Sequence, residues 1–127
     1  MTFRSFIFSA LTFAVFAASA SAAEVPFDQA QFDRALAAGK PVVVDFWASW
    51  CPVCRAQKPV LSTILQTPAM ADVTMFVANF DTEKDLKKAL HISGQSTLVI
   101  FKGGKEVVRS TGQTHPEQLQ ALLAQAL

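Results

Sequence analysis

The stretch PVVVDFWASWCPVC, residues 41–54, constrains the fold more than any other part of the chain. Its first eight residues are rich in β-branched and aromatic side chains with no polar alternation. That is the pattern of a strand buried on both faces. Such a strand needs helices packed above and below its sheet. One acid, Asp45, interrupts the run, and it stops at Cys51 and Cys54, the only two cysteines in the chain.

The flanking sequence supplies those helices. Residues 27–38 are predicted helical, with Asp28 as N-cap, Phe32 and Leu36 on one face and Gly39 as the stop. A second helix is predicted over 51–66, with Pro52 in its first turn and Pro59 inside it as a kink. Residues 72–80 read as another buried strand. Residues 82–90 read as a short amphipathic helix on Leu86, Ala89 and Leu90, with Glu83 and Lys87 as an i,i+4 pair. Residues 96–101 form a third strand, KGGK (102–105) a hairpin turn, and 106–111 the returning strand. Thr114 and Glu117 have capping-box spacing ahead of a last helix on Leu119, Leu122, Leu123 and Ala126. After the first helix the order is β-α-β-α-β-β-α. It predicts an α/β fold whose mixed sheet pairs parallel strands with an antiparallel closing hairpin, covered by helices on both faces. The cysteines fall at a strand's end on the first turn of a helix, the edge that reactive groups favour in α/β sheets.

Residues 1–22 read differently. Arg4 precedes an apolar stretch from Phe6 to Ala18, and Ala20-Ser21-Ala22 fits an A-x-A cleavage site. The reading is a cleaved secretory signal peptide, leaving one domain over 23–127. The alternative is an N-terminal membrane anchor, for which the stretch is short against the roughly 20 residues a bilayer needs. Five of the 11 phenylalanines and Arg4 leave with this segment, and the formal charge falls from +1 to 0. A neutral domain lacks the electrostatic footprint of a nucleic-acid binder. A bacterial-style signal points to the periplasm, where disulfides are permitted.

The C-x-x-C pair has three readings. As a structural staple it closes a very small loop, worth only about 2 kcal/mol against about 3 for a 15-residue loop. As a metal site it lacks ligands: zinc and iron–sulfur centres take four, and His91 and His115 lack H-x3-5-H spacing. The physics favours a dithiol/disulfide couple. Cys51 at a helix N-terminus is placed to be a thiolate, and Cys54 lies one turn deeper. Arg55 and Lys58 either add positive charge nearby or are solvated. An acid within a buried strand is costly without a purpose, and a raised pKa lets Asp45 exchange a proton with Cys54. The alternative for Asp45 is a hydrogen-bonded structural acid or an exposed strand end. Trp47 is either core or a wall of the site.

The residues VDFWASWCPVC (44–54), the in-helix Pro59, and FKGGKEVVRSTG (101–112) followed by a helix resemble the thioredoxin family over nearly all of the chain after residue 22. The resemblance implies the thioredoxin fold and thiol–disulfide exchange without a cofactor or metal. It makes Cys51 the attacking thiol, Cys54 the resolving thiol and Asp45 the buried acid–base. Trp50, Pro52, Val53, Gln95, Ser96 and Thr97 would line the substrate groove. Two departures stand out. The dipeptide between the cysteines is Pro-Val in place of the typical Gly-Pro, which bears on redox potential. Ser96 occupies the position of the family's cis-proline. A cis bond before a non-proline residue costs about 2.5–4 kcal/mol, so the Gln95–Ser96 bond is predicted trans. Ser96 then either bonds the thiolate or fills the loop, and loss of the proline ring also eases metal access to the sulfurs.

The expected activity is reduction of protein disulfides in the periplasm by a monomer. A membrane-embedded, DsbD-like donor would supply the electrons. Disulfide donation and a non-catalytic binding module are the alternatives.

Overall fold

The computed structural model describes Ala14 and residues 22–127. The signal-peptide reading therefore lies outside the described residues except at Ala14 and Ala22. Five strands and four α-helices follow one another as β1 (Ala23–Pro26), α1 (Gln29–Ala37), β2 (Val42–Trp47), α2 (Pro52–Leu65), β3 (Thr74–Asn79), α3 (Lys84–Ala89), β4 (Thr97–Lys102), β5 (Lys105–Thr111) and α4 (Pro116–Ala124). A short 3-10 turn, Pro68–Met70, follows α2. The sheet order is β1-β3-β2-β4-β5. β3 runs parallel to both β1 and β2, while β4 is antiparallel to β2 and to β5. This is the mixed α/β sheet expected from the sequence.

β2 is central, and alternation along it divides the core. Val43, Met75, Leu98 and Ile100 pack against Leu61, Ile64 and Leu65 of α2 and Leu119 and Leu123 of α4. Val42, Val44, Phe46, Phe76, Val99 and Phe101 face Phe32 and Ala35 of α1 and Leu86 of α3. Asp45 shares the parity of Val43, so its side chain belongs to the α2 face.

Helix ends follow local chemistry, with several departures from expectation. Asp28 caps α1, accepting from the Gln31 amide at 2.8 Å. Phe27 stays outside the helix and packs on Phe32, with ring centroids 5.6 Å apart, as a staple over the first turn. The Thr114–Glu117 capping box does not form. His115 is the N-cap of α4 without a side-chain cap bond, because Pro116 opens the helix. The Gln113 carboxamide oxygen instead accepts from the amides of Thr114 and His115, at 3.0 and 2.9 Å. Lys87 does not pair with Glu83. Its ammonium sits 3.9 Å from the centroid of the Phe80 ring, a cation–π contact. Of the apolar set predicted for α3, Leu86 is buried, whereas Leu90 is half-buried and Ala89 exposed. The edge strand β1 was not expected at all.

The hairpin joining β4 and β5 turns on Gly103 and Gly104, with φ of +58° and +79°. These left-handed values suit a two-residue turn matched to the sheet's twist. The two glycines are not equivalent. A Cβ on Gly103 meets nothing within 4 Å, but one on Gly104 falls 2.8 Å from the Leu36 carbonyl oxygen of α1. Gly103→Ala is expected to cost about 1 kcal/mol for the left-handed backbone alone. Gly104→Ala adds a clash with backbone and should cost at least about 2 kcal/mol. In a domain of this size that lowers Tm by roughly 8 °C or more. Equal melting temperatures for the two variants would refute this close approach.

Candidate active site

β2 carries Asp45 inward and then releases the chain at Ala48 into a turn that starts α2. Cys51 is the N-cap of that helix: its sulfur accepts from the Cys54 amide at 3.1 Å, and its backbone is extended. Pro52 takes the first helical position, where a missing amide hydrogen costs nothing. Cys54 follows on the buried side of the first turn. Both cysteines are free thiols, and both are buried.

A third side chain meets them. The hydroxyl of Ser96 lies 3.0 Å from the Cys51 sulfur and 3.1 Å from the Cys54 sulfur. No cis peptide occurs among the described residues, so the Gln95–Ser96 bond is trans, as the sequence predicts. Ser96 instead adopts a left-handed backbone, φ +61°. For a serine this costs on the order of 1–3 kcal/mol and persists only where the surroundings impose it. Its amide donates to the Phe46 carbonyl at 2.8 Å, and its carbonyl accepts from the Gly112 amide at 3.0 Å.

The two thiols are electrostatically unequal. Burial pushes the Cys51 thiol up, but hydrogen bonds from the Cys54 side chain, the Ser96 hydroxyl and the amides of Cys54 and Val53 outweigh it. The net effect holds Cys51 below its ordinary value. Burial and its bond to Cys51 hold the Cys54 thiol above its ordinary value, against the Ser96 hydroxyl. The cations named from sequence contribute little. Arg55 donates to the Ser49 carbonyl at 2.9 Å, bracing the turn before the helix. Lys58 lies over the Trp47 ring, 5.3 Å from its centroid.

Asp45 is 8% exposed, and its Oδ1 has no hydrogen-bond partner among the described residues. Burial, and secondarily the charge of Glu24, push its carboxyl up to about 7, while Lys58 pulls it down. Asp45, Cys54, Glu24 and Lys58 line one cavity of about 10 Å³ between β2 and α2. That is space for about one water, enough to pass a proton between the carboxylate and the Cys54 thiol.

The remaining groove residues are spread around this centre. Trp50 is 53% exposed and donates its indole N–H to Asp81 at 2.9 Å. Pro52 and Val53 are exposed beside it, and Gln95 is half-buried. Thr97 is buried in β4, and its hydroxyl bonds the Gly94 carbonyl at 2.7 Å and the Thr111 hydroxyl at 2.9 Å. It braces the strand pair rather than reaching the sulfurs. Sequence reasoning passed over Glu24 and Asp81. The partner of Trp50 comes from a loop after β3, and Glu24 comes from the unexpected β1. Among the described residues no group of three or more His, Cys, Asp or Glu side chains is placed to hold a metal ion. No described helix is long and apolar enough to cross a membrane.

A nucleophile with a stabilised thiolate, a second thiol held protonated within its reach, and a buried base can perform thiol–disulfide exchange. Comparison with known proteins agrees. A sequence model described as thioredoxin matches residues 23–125. A thioredoxin from Alicyclobacillus acidocaldarius is 40% identical over 106 residues, covering 83% of this chain and 99% of its own. The crystal structure of Trxlp from Edwardsiella tarda superposes with a TM-score of 0.78 at 42% identity, covering 80% of this chain and 98% of the other. The thioredoxin of Malassezia sympodialis superposes with a TM-score of 0.72 at 31% identity, covering 84% and 93% respectively.

Proposed function

The chain belongs to the thioredoxin family and is a protein thiol–disulfide oxidoreductase, and from that premise we propose that it works as an exported reductase of protein disulfides in the periplasm. The observation that carries the chemistry is the inequality of the two thiols around the Ser96 hydroxyl. The Cys51 thiolate attacks one sulfur of a target disulfide, forming a Cys51–target disulfide and releasing the other target sulfur as thiolate. Asp45, as carboxylate, takes the Cys54 proton through the shared cavity. The Cys54 thiolate then attacks the Cys51 sulfur, closing the Cys51–Cys54 disulfide and expelling the second target thiolate. The target gains two electrons and the couple loses two. Each turnover therefore requires an outside dithiol, for which a membrane-embedded, DsbD-like donor is the fitting class. Export rests on the pattern of residues 1–22, with a charged start, an apolar stretch and Ala20-Ser21-Ala22. With one Cys51–Cys54 couple per chain, the exchange needs no second copy, and a monomer is the proposed working unit.

The same hydroxyl favours a second reading. A bond that stabilises the Cys51 thiolate stabilises the reduced couple and so raises its potential, toward disulfide donation. Equilibration of the Cys51–Cys54 pair against glutathione or dithiothreitol separates the two. A value near about −270 mV supports the reductase, and one near about −120 mV replaces it with a donor. In either case Ser96→Ala is expected to make the couple more reducing by about 30 mV, the equivalent of one hydrogen bond of about 1.4 kcal/mol. An unchanged potential would mean that the hydroxyl does not favour the dithiol form.

A further inference from the structure

Gln57 occupies a place where an apolar residue would be expected. It lies between Cys54 and Leu61 on the buried face of α2 and is 1% exposed. A carboxamide there is unfavourable unless its hydrogen bonds are used. Its Nε2 donates to the Gln113 carbonyl at 2.8 Å and to the Ser96 carbonyl at 3.4 Å. Its Oε1 has no partner among the described residues. Two carbonyl acceptors on one nitrogen fix which way the amide points, since a flipped amide would set oxygen against oxygen. The side chain is thus half-satisfied, and the half that is satisfied joins the segment before β4 to the segment before α4.

The strained residue of the site lies on that link. The Ser96 backbone is left-handed, and its polar groups are held by the Phe46 carbonyl, the Gly112 amide and Gln57. Gln57 is the only side chain among these three ties. We propose that Gln57 is a positioning residue for the redox couple: by holding the Ser96 carbonyl it keeps that backbone left-handed and the hydroxyl within reach of both sulfurs. Packing alone would be served better by leucine or methionine. The buried amide is explained by the loop it pins. The inference rests on the reading of Cys51 as the attacking thiol.

The test is ultraviolet titration of the thiolates in the full chain, following the lower-pH step, in wild type, Gln57→Met, Ser96→Ala and the double variant. Methionine keeps the length and flexibility of glutamine without its donor. Gln57→Met should move the midpoint to higher pH, lowering the proton concentration at half-titration roughly threefold to tenfold. The double variant should titrate as Ser96→Ala does alone, because both changes remove one device. An unshifted midpoint in Gln57→Met overturns the proposal. A shift of equal size with and without the Ser96 hydroxyl also overturns it. Gln57→Leu, of different shape, serves if the methionine variant does not fold. Disulfide reduction by the wild type is measured alongside. An inactive wild type with the coupling intact would sink the oxidoreductase reading while leaving the positioning role supported.

Discussion

Cys51→Ser is expected to abolish disulfide reduction, by on the order of a thousandfold or more, because a serine hydroxyl at neutral pH is not an anion and cannot form the mixed disulfide. The loss should be chemical and not structural. The N-cap position accepts the Cys54 amide through the side-chain heteroatom, and serine is a good N-cap. Turbidity of insulin under dithiothreitol reads the activity, and thermal melting reads the fold. Cys54→Ala should behave differently: the first attack proceeds, the resolving thiol is missing, and the target remains bound through Cys51. Retained activity in Cys51→Ser would overturn Cys51 as the attacking thiol, whereas an inactive wild type with no trapped disulfide in Cys54→Ala would leave a non-catalytic binding module as the better account.

Asp45→Asn is expected to alter stability and turnover in opposite senses. In the native protein the carboxyl holds its proton up to about pH 7, whereas an ordinary aspartate releases it near pH 3.8. Between those values the native state binds more protons than the unfolded state, so stability falls as pH rises. The contribution is fully present below pH 4, lost through about pH 7 and flat above. A shift of this size corresponds to about 4 kcal/mol. The stability difference between Asp45→Asn and wild type should therefore change by about 4 kcal/mol in favour of the variant between pH 4 and pH 8, whatever its offset at pH 4. Denaturant titrations at the two pH values measure it, and parallel curves would contradict a buried, protonated Asp45. Meanwhile the variant loses the base that accepts the Cys54 proton. Its resolving step should slow by about a hundredfold, with the mixed disulfide accumulating.

Much of this was legible in the sequence because the decisive features are local. The run 41–48 specifies a strand covered on both sides, Cys51 and Cys54 mark its exit, Gly39 and the Gly103–Gly104 pair mark stops and turns, and Asp45 declares itself by its cost. What escaped depends on contacts between distant segments. β1 has four residues, of which only Val25 is even half-buried, so it carries no pattern to read. Without β1 there was no reason to set Glu24 beside Asp45. Gln57 left a trace, a polar residue on the stripe from Cys54 to Leu61, but its meaning required knowing that the loops of Ser96 and Gln113 meet there. Lys87 and the start of α4 went astray for a related reason. An aromatic face and a neighbouring carboxamide offered better partners than the pairs the spacing suggested.

The central sheet also acts as a partition. All the titrating chemistry lies on the side of α2, while the side of α1 and α3 is a plain apolar core in which Phe27, Phe32, Phe76 and Phe101 meet at their edges. For an engineer these are two independent dials. Changes at Phe32, Phe76 and Phe101 behind the sheet should add to changes in front of it that retune the sulfurs, so long as they spare Phe80, which packs on both clusters, and Phe46, whose carbonyl holds the Ser96 amide. Durability and redox poise can then be adjusted in one chain without trading one against the other.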